Sequence, residues 1–126
     1  MKKENIKIDV KKVNVICSEY NHWIGNNTLK VIPYNKNFTY NYYGAPLYFG
    51  ASLRSYVSLL NSKNFDLVAV DSSGTNAFHV KKKFSKHFEI LSATKSFKKS
   101  SRFHSKDEMS KIEDYVLNCK FIDLDI

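Results

Sequence analysis

Residues 48–80 read YFGASLRSYVSLLNSKNFDLVAVDSSGTNAFHV, and the order of patterns in this stretch decides the fold. Ser52 is a candidate helix N-cap, and apolar residues follow it at spacings of three and four. Those apolar residues are Leu53, Tyr56, Val57 and Leu60. The next run, FDLVAV at 65–70, is too short for a helix and predicts a strand buried on both faces. The stretch therefore predicts a short helix followed by a buried strand.

A tight turn and a second strand follow FDLVAV. Residues 72–75 are Ser-Ser-Gly-Thr, in which Gly74 is free to adopt a positive φ. From Asn76 to Lys81 the pattern alternates, with Ala77 and His79 on one face. Because only a few residues separate the two strands, we expect an antiparallel hairpin. The predicted fold class is α/β, with a small mixed sheet that contains this hairpin.

The chain before this stretch contains a strand and a long aromatic loop. Residues 13–17 predict a strand, and residues 29–34 predict a short one. Between positions 22 and 46 turn-forming residues are frequent and no helical period is present. Residues 34–49 contain seven aromatic residues: Tyr34, Phe38, Tyr40, Tyr42, Tyr43, Tyr48 and Phe49. The loop either packs down as a cover through its own rings or stacks against a ligand.

The composition is that of a single domain, residues 1–126. The 43% of hydrophobic residues can supply one modest core. No apolar run approaches the roughly 20 residues that span a bilayer, and MKKENIKIDVKK at the amino terminus lacks the apolar region of a secretory signal. Cys17 and Cys119 have no metal-binding spacing, and we interpret them as buried free thiols. Free thiols predict a reducing, cytoplasmic location.

Residues 81–106 form a basic segment. They carry nine Lys or Arg and one acidic residue, Glu89, and so account for the whole formal net charge of +8. The segment is either a solvated basic face or a surface for nucleic acid or another polyanion, because aromatic residues lie between its lysines. The candidate polyanion-binding residues are Lys95, Lys98, Lys99 and Arg102.

A C-terminal amphipathic helix is predicted over residues 106–118. Ser105 and Glu108 have the spacing of a capping box. Apolar residues follow at helical spacing: Met109, Ile112, Val116 and Cys119. Residues 121–126 predict either a short strand or a segment packed on the core.

Several phrases within residues 13–83 resemble a known family. They are GASL at 50–53, SGTNAF at 73–78, and a strand that ends in SEYN at 18–21 and is followed by VIPY at 31–34. Together they resemble the C-terminal half of FkbM-related, class I S-adenosylmethionine-dependent methyltransferases, whose sequences often occur with surface-polysaccharide loci. The resemblance implies that residues 13–17, 65–70 and 76–81 are the fifth, sixth and seventh strands of that Rossmann-like fold. Their spatial order would then be five, seven, six, with the seventh antiparallel.

The chain departs from this family where the cofactor binds. Its four glycines, at positions 25, 44, 50 and 74, include no G-x-G, and the first four strands have no counterpart. A glycine-rich turn is what lets the backbone approach an adenosyl ligand closely. We therefore expect no cofactor in this chain alone, and S-adenosylmethionine only if a partner supplies the missing half.

Two functions follow from these patterns. The first is a methyltransferase-like half-domain, related to surface glycan or polysaccharide modification and truncated, split or repurposed. As an isolated chain it would be either inactive or dependent on a partner. An uncovered fifth-strand edge would then favour a homodimer or pairing with a complementary methyltransferase half. The alternative is a small basic module that binds nucleic acid or another polyanion.

The predicted site lies beyond the carboxyl ends of the parallel strands, where open α/β sheets bind ligands. Glu19 and His22 are the candidate general bases, and a carboxylate that ends a buried strand needs a partner. The candidate substrate-binding residues are Asn21, Tyr48, Asp71, Ser72 and Asn76. For Asp71, Ser72 and Asn76 the alternative is that they only satisfy turn amides. The four histidines have no metal-ligand spacing, so no metal site is predicted.

Overall fold

The computed structural model describes residues 10–33, 48–99 and 105–124 as a mixed α/β structure. The strands and helices are β1 (Val15–Glu19), β2 (Lys30–Val31), α1 (Leu53–Ser62), β3 (Phe65–Val70), β4 (Asn76–Lys81), α2 (Ala93–Ser96), α3 (Lys106–Leu117) and β5 (Ile122–Asp123). Single 3-10 segments lie at Val10–Lys12, His22–Ile24 and Lys82–His87.

The main sheet has three strands in the order β1-β4-β3. The central strand β4 is antiparallel to both neighbours, so β1 and β3 run parallel to each other. The hairpin of β3 and β4 is confirmed, and Gly74 in its turn has a φ of 73°. A register shift between Leu67 and Ala69 places a bulge in β3. The sheet order equals the order that the family resemblance implies.

β1 is hydrogen-bonded to β4 along one of its two edges. Lys81 N donates to Asn14 O (3.0 Å), and Tyr20 N donates to Thr75 O (3.0 Å). Because backbone groups alternate along an antiparallel strand, those of Ile16 and Ser18 also point toward β4. The backbone groups of Val15, Cys17 and Glu19 therefore point away from the sheet. No described strand pairs with that outer edge of β1.

The core lies on the face of the sheet that α1 and α2 cover. Its buried members are Tyr20, Leu53, Leu67, Ala77 and Ala93. Ser52 caps α1 as predicted, since its Oγ accepts a hydrogen bond from Ser55 N (3.1 Å) and donates one to Thr28 O (2.6 Å). This cap is fully buried, so it anchors the loop before β2 as well as the helix.

A second cluster packs beside the sheet and holds the C-terminal helix. The predicted capping box of Ser105 and Glu108 is present at the start of α3. Val116 of α3 is buried against Trp23 and Ile24, with partly buried Met109, Ile112 and Phe121 around them. The helix therefore packs on the 3-10 segment that follows β1, and β5 pairs with β2 to form a two-stranded sheet.

Several predictions differ from the structure. The first strand covers Val15–Glu19 and not residues 13–17. It is an edge strand with one uncovered face, on which Glu19 is exposed, and not a buried strand. Cys17 is correspondingly exposed and Cys119 is half-buried, so the expectation of two buried thiols was wrong. In β3 only the first three residues are buried, because the others approach the open end of the sheet. Most of the predicted aromatic loop, residues 34–47, lies outside the described residues.

His79 is an unusual core residue. It is fully buried in β4, and neither ring nitrogen has a hydrogen-bond partner among the described residues. Burial lowers the pKa of His79 to about 4, although the negative charge of Asp66 opposes this shift. The imidazole is therefore neutral in the folded chain at pH 7.

We expect acid to destabilise the fold through His79. The unfolded histidine binds a proton near pH 6.5 and the folded one only near pH 4, so stability is complete above pH 6.5 and falls between these values. The loss is of the order of 3 kcal/mol once the folded histidine is protonated as well, below about pH 4. His79→Leu should remove this part of the pH dependence of urea unfolding, while His87→Gln, at an exposed histidine, should leave it unchanged. Equal pH dependence in the wild type and His79→Leu would contradict the assignment.

Candidate functional site

The predicted site residues of β1, β3 and β4 meet at one end of the sheet. Glu19, the last residue of β1, lies opposite Asn76, the first residue of β4. Asp71 follows β3, and Asn76 Nδ2 donates to Asp71 Oδ2 (2.8 Å). The structure thus brings Glu19, Asn76 and Asp71 side by side along one rim.

Within that rim Asp71 organises the turn of the hairpin. Its Oδ1 accepts hydrogen bonds from Ser73 Oγ (2.8 Å), Thr75 N (3.0 Å) and Asn76 N (3.2 Å). Desolvation raises the pKa of Asp71, but these bonds together with that from the Asn76 amide outweigh it and lower the pKa to about 2. A carboxylate stabilised in this way is a poor proton acceptor near pH 7, and Ser72 beside it is exposed. The hydrogen bonds of Asp71 and Asn76 therefore stabilise the hairpin turn.

Asn21 and His22 follow β1 but take different positions from Glu19. The Asn21 side chain is fully buried, where Oδ1 accepts from Trp23 N (2.9 Å) and Nδ2 donates to Phe49 O (3.1 Å). Asn21 therefore ties the 3-10 segment after β1 to the loop before α1. The ring of His22 is half-buried and contacts that of Trp23, with centroids 4.3 Å apart.

Tyr48 lies with the C-terminal segment. Its hydroxyl donates to Lys120 O, and its ring meets the edge of Phe121 with centroids 5.3 Å apart. Burial raises the pKa of Tyr48 above its ordinary value. These contacts fasten the segment after α3 to the start of the loop before α1.

Glu19 is exposed on the rim, so the expectation that it needs a buried partner was wrong. The reason is that β1 is an edge strand, in which Val15, Cys17 and Glu19 share the face that α1 does not cover. An exposed carboxylate at the carboxyl end of β1 is accessible to a ligand. Of the acidic residues on this rim, Glu19 is the one that the hairpin turn does not use.

A cavity of about 600 Å³ lies beside the same end of β3. It is lined by Val70, Glu89, Ile90, Leu91, Ser92, Lys95, Ser96 and Lys98. Leu91 N donates to Leu67 O (2.8 Å), which attaches this segment to the outer edge of β3. Sequence reasoning missed the cavity because it placed no helix at Ala93–Ser96, although Ser92 is a sequence-visible N-cap whose Oγ accepts from Lys95 N.

The structure describes three of the four candidate polyanion-binding residues. Lys95 and Lys98 line the cavity that also holds Glu89. Lys99 forms an ion pair with Glu113 and lies over the Trp23 ring, with Nζ 5.9 Å from the centroid. Arg102 lies outside the described residues.

Within the described ranges, no group of three or more His, Cys, Asp or Glu side chains could hold a metal ion. In the same ranges no helix is long and apolar enough to cross a bilayer. Comparison of the chain with protein-family models, curated proteins and solved structures found no match.

We expect Asp71→Ala to destabilise the fold by about 2 kcal/mol at pH 7, because hydrogen bonds to a charged group are lost from the hairpin turn. Ser72→Ala, at the exposed neighbouring position, should change the free energy of unfolding little. The pKa of Asp71 is lowered from 3.8 to about 2, so its contribution is complete above pH 3.8 and is lost toward pH 2. Urea unfolding of both variants at pH 7 and below pH 4 measures this. A small effect of Asp71→Ala at pH 7 would show that the carboxylate does not hold the turn.

Proposed function

We propose that this chain is a methyltransferase-like half-domain that acts in surface glycan or polysaccharide modification once further strands complete its sheet. The observation that carries the proposal is the sheet itself. An antiparallel strand, β4, lies between two parallel strands and follows β3 by a hairpin. This is the arrangement of the last three strands in the family that the sequence resembles, and that resemblance is also the basis for the glycan acceptor.

The outer edge of β1 is where the additional strand would pair. The backbone groups of Val15, Cys17 and Glu19 point outward there, and Val15 is 58% exposed. An apolar strand with outward-facing hydrogen-bonding groups is a template for another strand. The partner is either a complementary methyltransferase half or a second copy of this chain.

The described residues do not fit S-adenosylmethionine by themselves. The N-terminus of α1, the helix end that follows a glycine-containing loop, is filled by its own buried cap: Ser52 and Ser55 bond to each other and to the carbonyls of Thr28 and Lys30. The Ser52 hydroxyl occupies the amide of Ser55, so that amide is not left for an adenosyl ligand at this helix end. In this proposal the cofactor site belongs to the strands that complete the sheet.

What this chain would supply is the acceptor side of the site. Glu19 lies exposed at the carboxyl end of β1, at the edge where the sheet would continue. In that place its carboxylate would accept the proton of an acceptor hydroxyl, and His22, which follows it, is the second candidate base. The exposed Cys17 thiol favours a reducing, cytoplasmic compartment.

We expect two copies of the isolated chain to pair along β1 and to sediment as a dimer at micromolar concentration. Cys17→Pro removes an outward-pointing N–H without touching the hydrogen bonds to β4, so it should give a folded monomer. Cys17→Ser keeps the N–H and should remain a dimer. Neither protein should bind S-adenosylmethionine at millimolar concentration in calorimetry.

Two results would contradict this proposal. Saturable binding of S-adenosylmethionine by the isolated chain would mean that no further strands are needed. A dimer that Cys17→Pro does not affect would mean that the edge of β1 is not the pairing surface, and a wild-type monomer would exclude a second copy of this chain as the partner.

A further inference from the structure

Five lysines surround one cavity at the end of the sheet opposite the rim of Glu19. The cavity has a volume of about 580 Å³ and is lined by Val10, Lys11, Lys63, Asn64, Lys81, Lys82 and Lys83. None of these described lining residues is acidic. This lysine cavity is separate from Lys95 and Lys98, which line the cavity beside Val70.

The fold brings these lysines together from three distant parts of the sequence. Lys11 belongs to the 3-10 segment before β1, Lys63 caps the end of α1, and Lys81 ends β4. Asn64 turns the chain with a left-handed φ of 67°, and its carbonyl accepts a hydrogen bond from Lys82 N (2.9 Å). Lys81 Nζ donates to Lys11 O, so two of the three parts are directly joined.

The described lining of the cavity carries five positive side chains and no negative one. Lys82 forms an ion pair with buried Asp66 at 3.6 Å. The last carbonyls of α1 add a partial negative charge of roughly half a unit. Lys63, Lys81 and Lys83 line the same cavity, and like charges that lie close together repel one another. An anion with several charges would relieve that repulsion.

The neighbouring aromatic side chains indicate which anion. Phe84 is 37% exposed, and Lys83 Nζ lies 5.0 Å from the centroid of its ring. Phe88 at the end of the same 3-10 segment is 49% exposed. Lysine ammonium groups bind phosphate as point charges, and exposed rings stack on bases.

We propose that the lysine cavity binds adjacent phosphate groups, carried either by a free polyphosphate or by the backbone of a single-stranded nucleic acid. This site does not depend on completion of the sheet, because it lies at the opposite end of β4 from Asn76 and Glu19. Loss of methyltransferase-like activity and loss of phosphate binding are therefore separable.

The test uses two probes and two double variants. Inorganic triphosphate is measured by calorimetry, and a fluorescein-labelled oligothymidine by anisotropy between about 50 and about 200 mM salt. Lys63→Gln with Lys83→Gln removes two exposed charges from the cavity and spares the pair of Lys82 with Asp66. Lys95→Gln with Lys98→Gln is the matched control, since it removes the same charge elsewhere.

We expect the cavity variant to weaken binding by about tenfold or more, and the control variant by much less. For the oligothymidine, two lost phosphate contacts should also reduce the salt slope by about 1.4. The probe that binds more tightly identifies the source of the phosphate. Equal losses in the two variants, or no saturable binding of either probe, would overturn the proposal.

Discussion

The central strand β4 has hydrogen bonds on both of its edges, and the rest of the described structure depends on this constraint. Pairing with β3 on one side closes the hairpin, and pairing with β1 on the other sets the direction of that strand. Because the backbone groups of Ile16 and Ser18 point toward β4, those of Val15 and Cys17 are directed away from the sheet. The same register places Glu19 next to Asn76 and brings the lysines at the end of β4 together with those of α1 and the amino-terminal segment.

Short polar side chains hold the loops around this sheet by satisfying backbone groups. Ser52 and Asn21 are buried and join segments that are far apart in sequence, while Asp71 gathers the amides of the hairpin turn. Most buried polar atoms in proteins are hydrogen-bonded, and strand and helix ends offer the backbone groups that these short side chains can bond. Short polar residues at strand ends could also form a catalytic site. The hydrogen bonds that these side chains make show which of them hold loops and turns instead. Glu19 remains the candidate base because the turn does not use it.

The sequence predicts the locally determined part of this fold well. Helical spacing and a serine cap predict α1, a capping box predicts α3, and a glycine turn between alternating residues predicts the hairpin. What it misses depends on distant contacts. Asn21 is buried where its amide donates to the carbonyl of Phe49, 28 residues away. Cys17 is exposed because it lies on the face of β1 that α1 does not cover. The basic composition of residues 81–106 likewise did not show that Lys11 and Lys63 join Lys81, nor that Lys99 is paired with Glu113.

The two proposed activities use opposite ends of one small sheet, and the central claim is that the outer edge of β1 is open for a further strand. Amide hydrogen exchange in a solution dilute enough to be monomeric tests this most directly. We expect Val15 and Cys17 to exchange at close to the rate of an unstructured peptide, while Ile16 and Ser18 are protected by β4. At concentrations where the chain associates, the first pair should become protected as well. Equal protection of all four amides in the monomer would show that the chain covers this edge itself and would contradict the account.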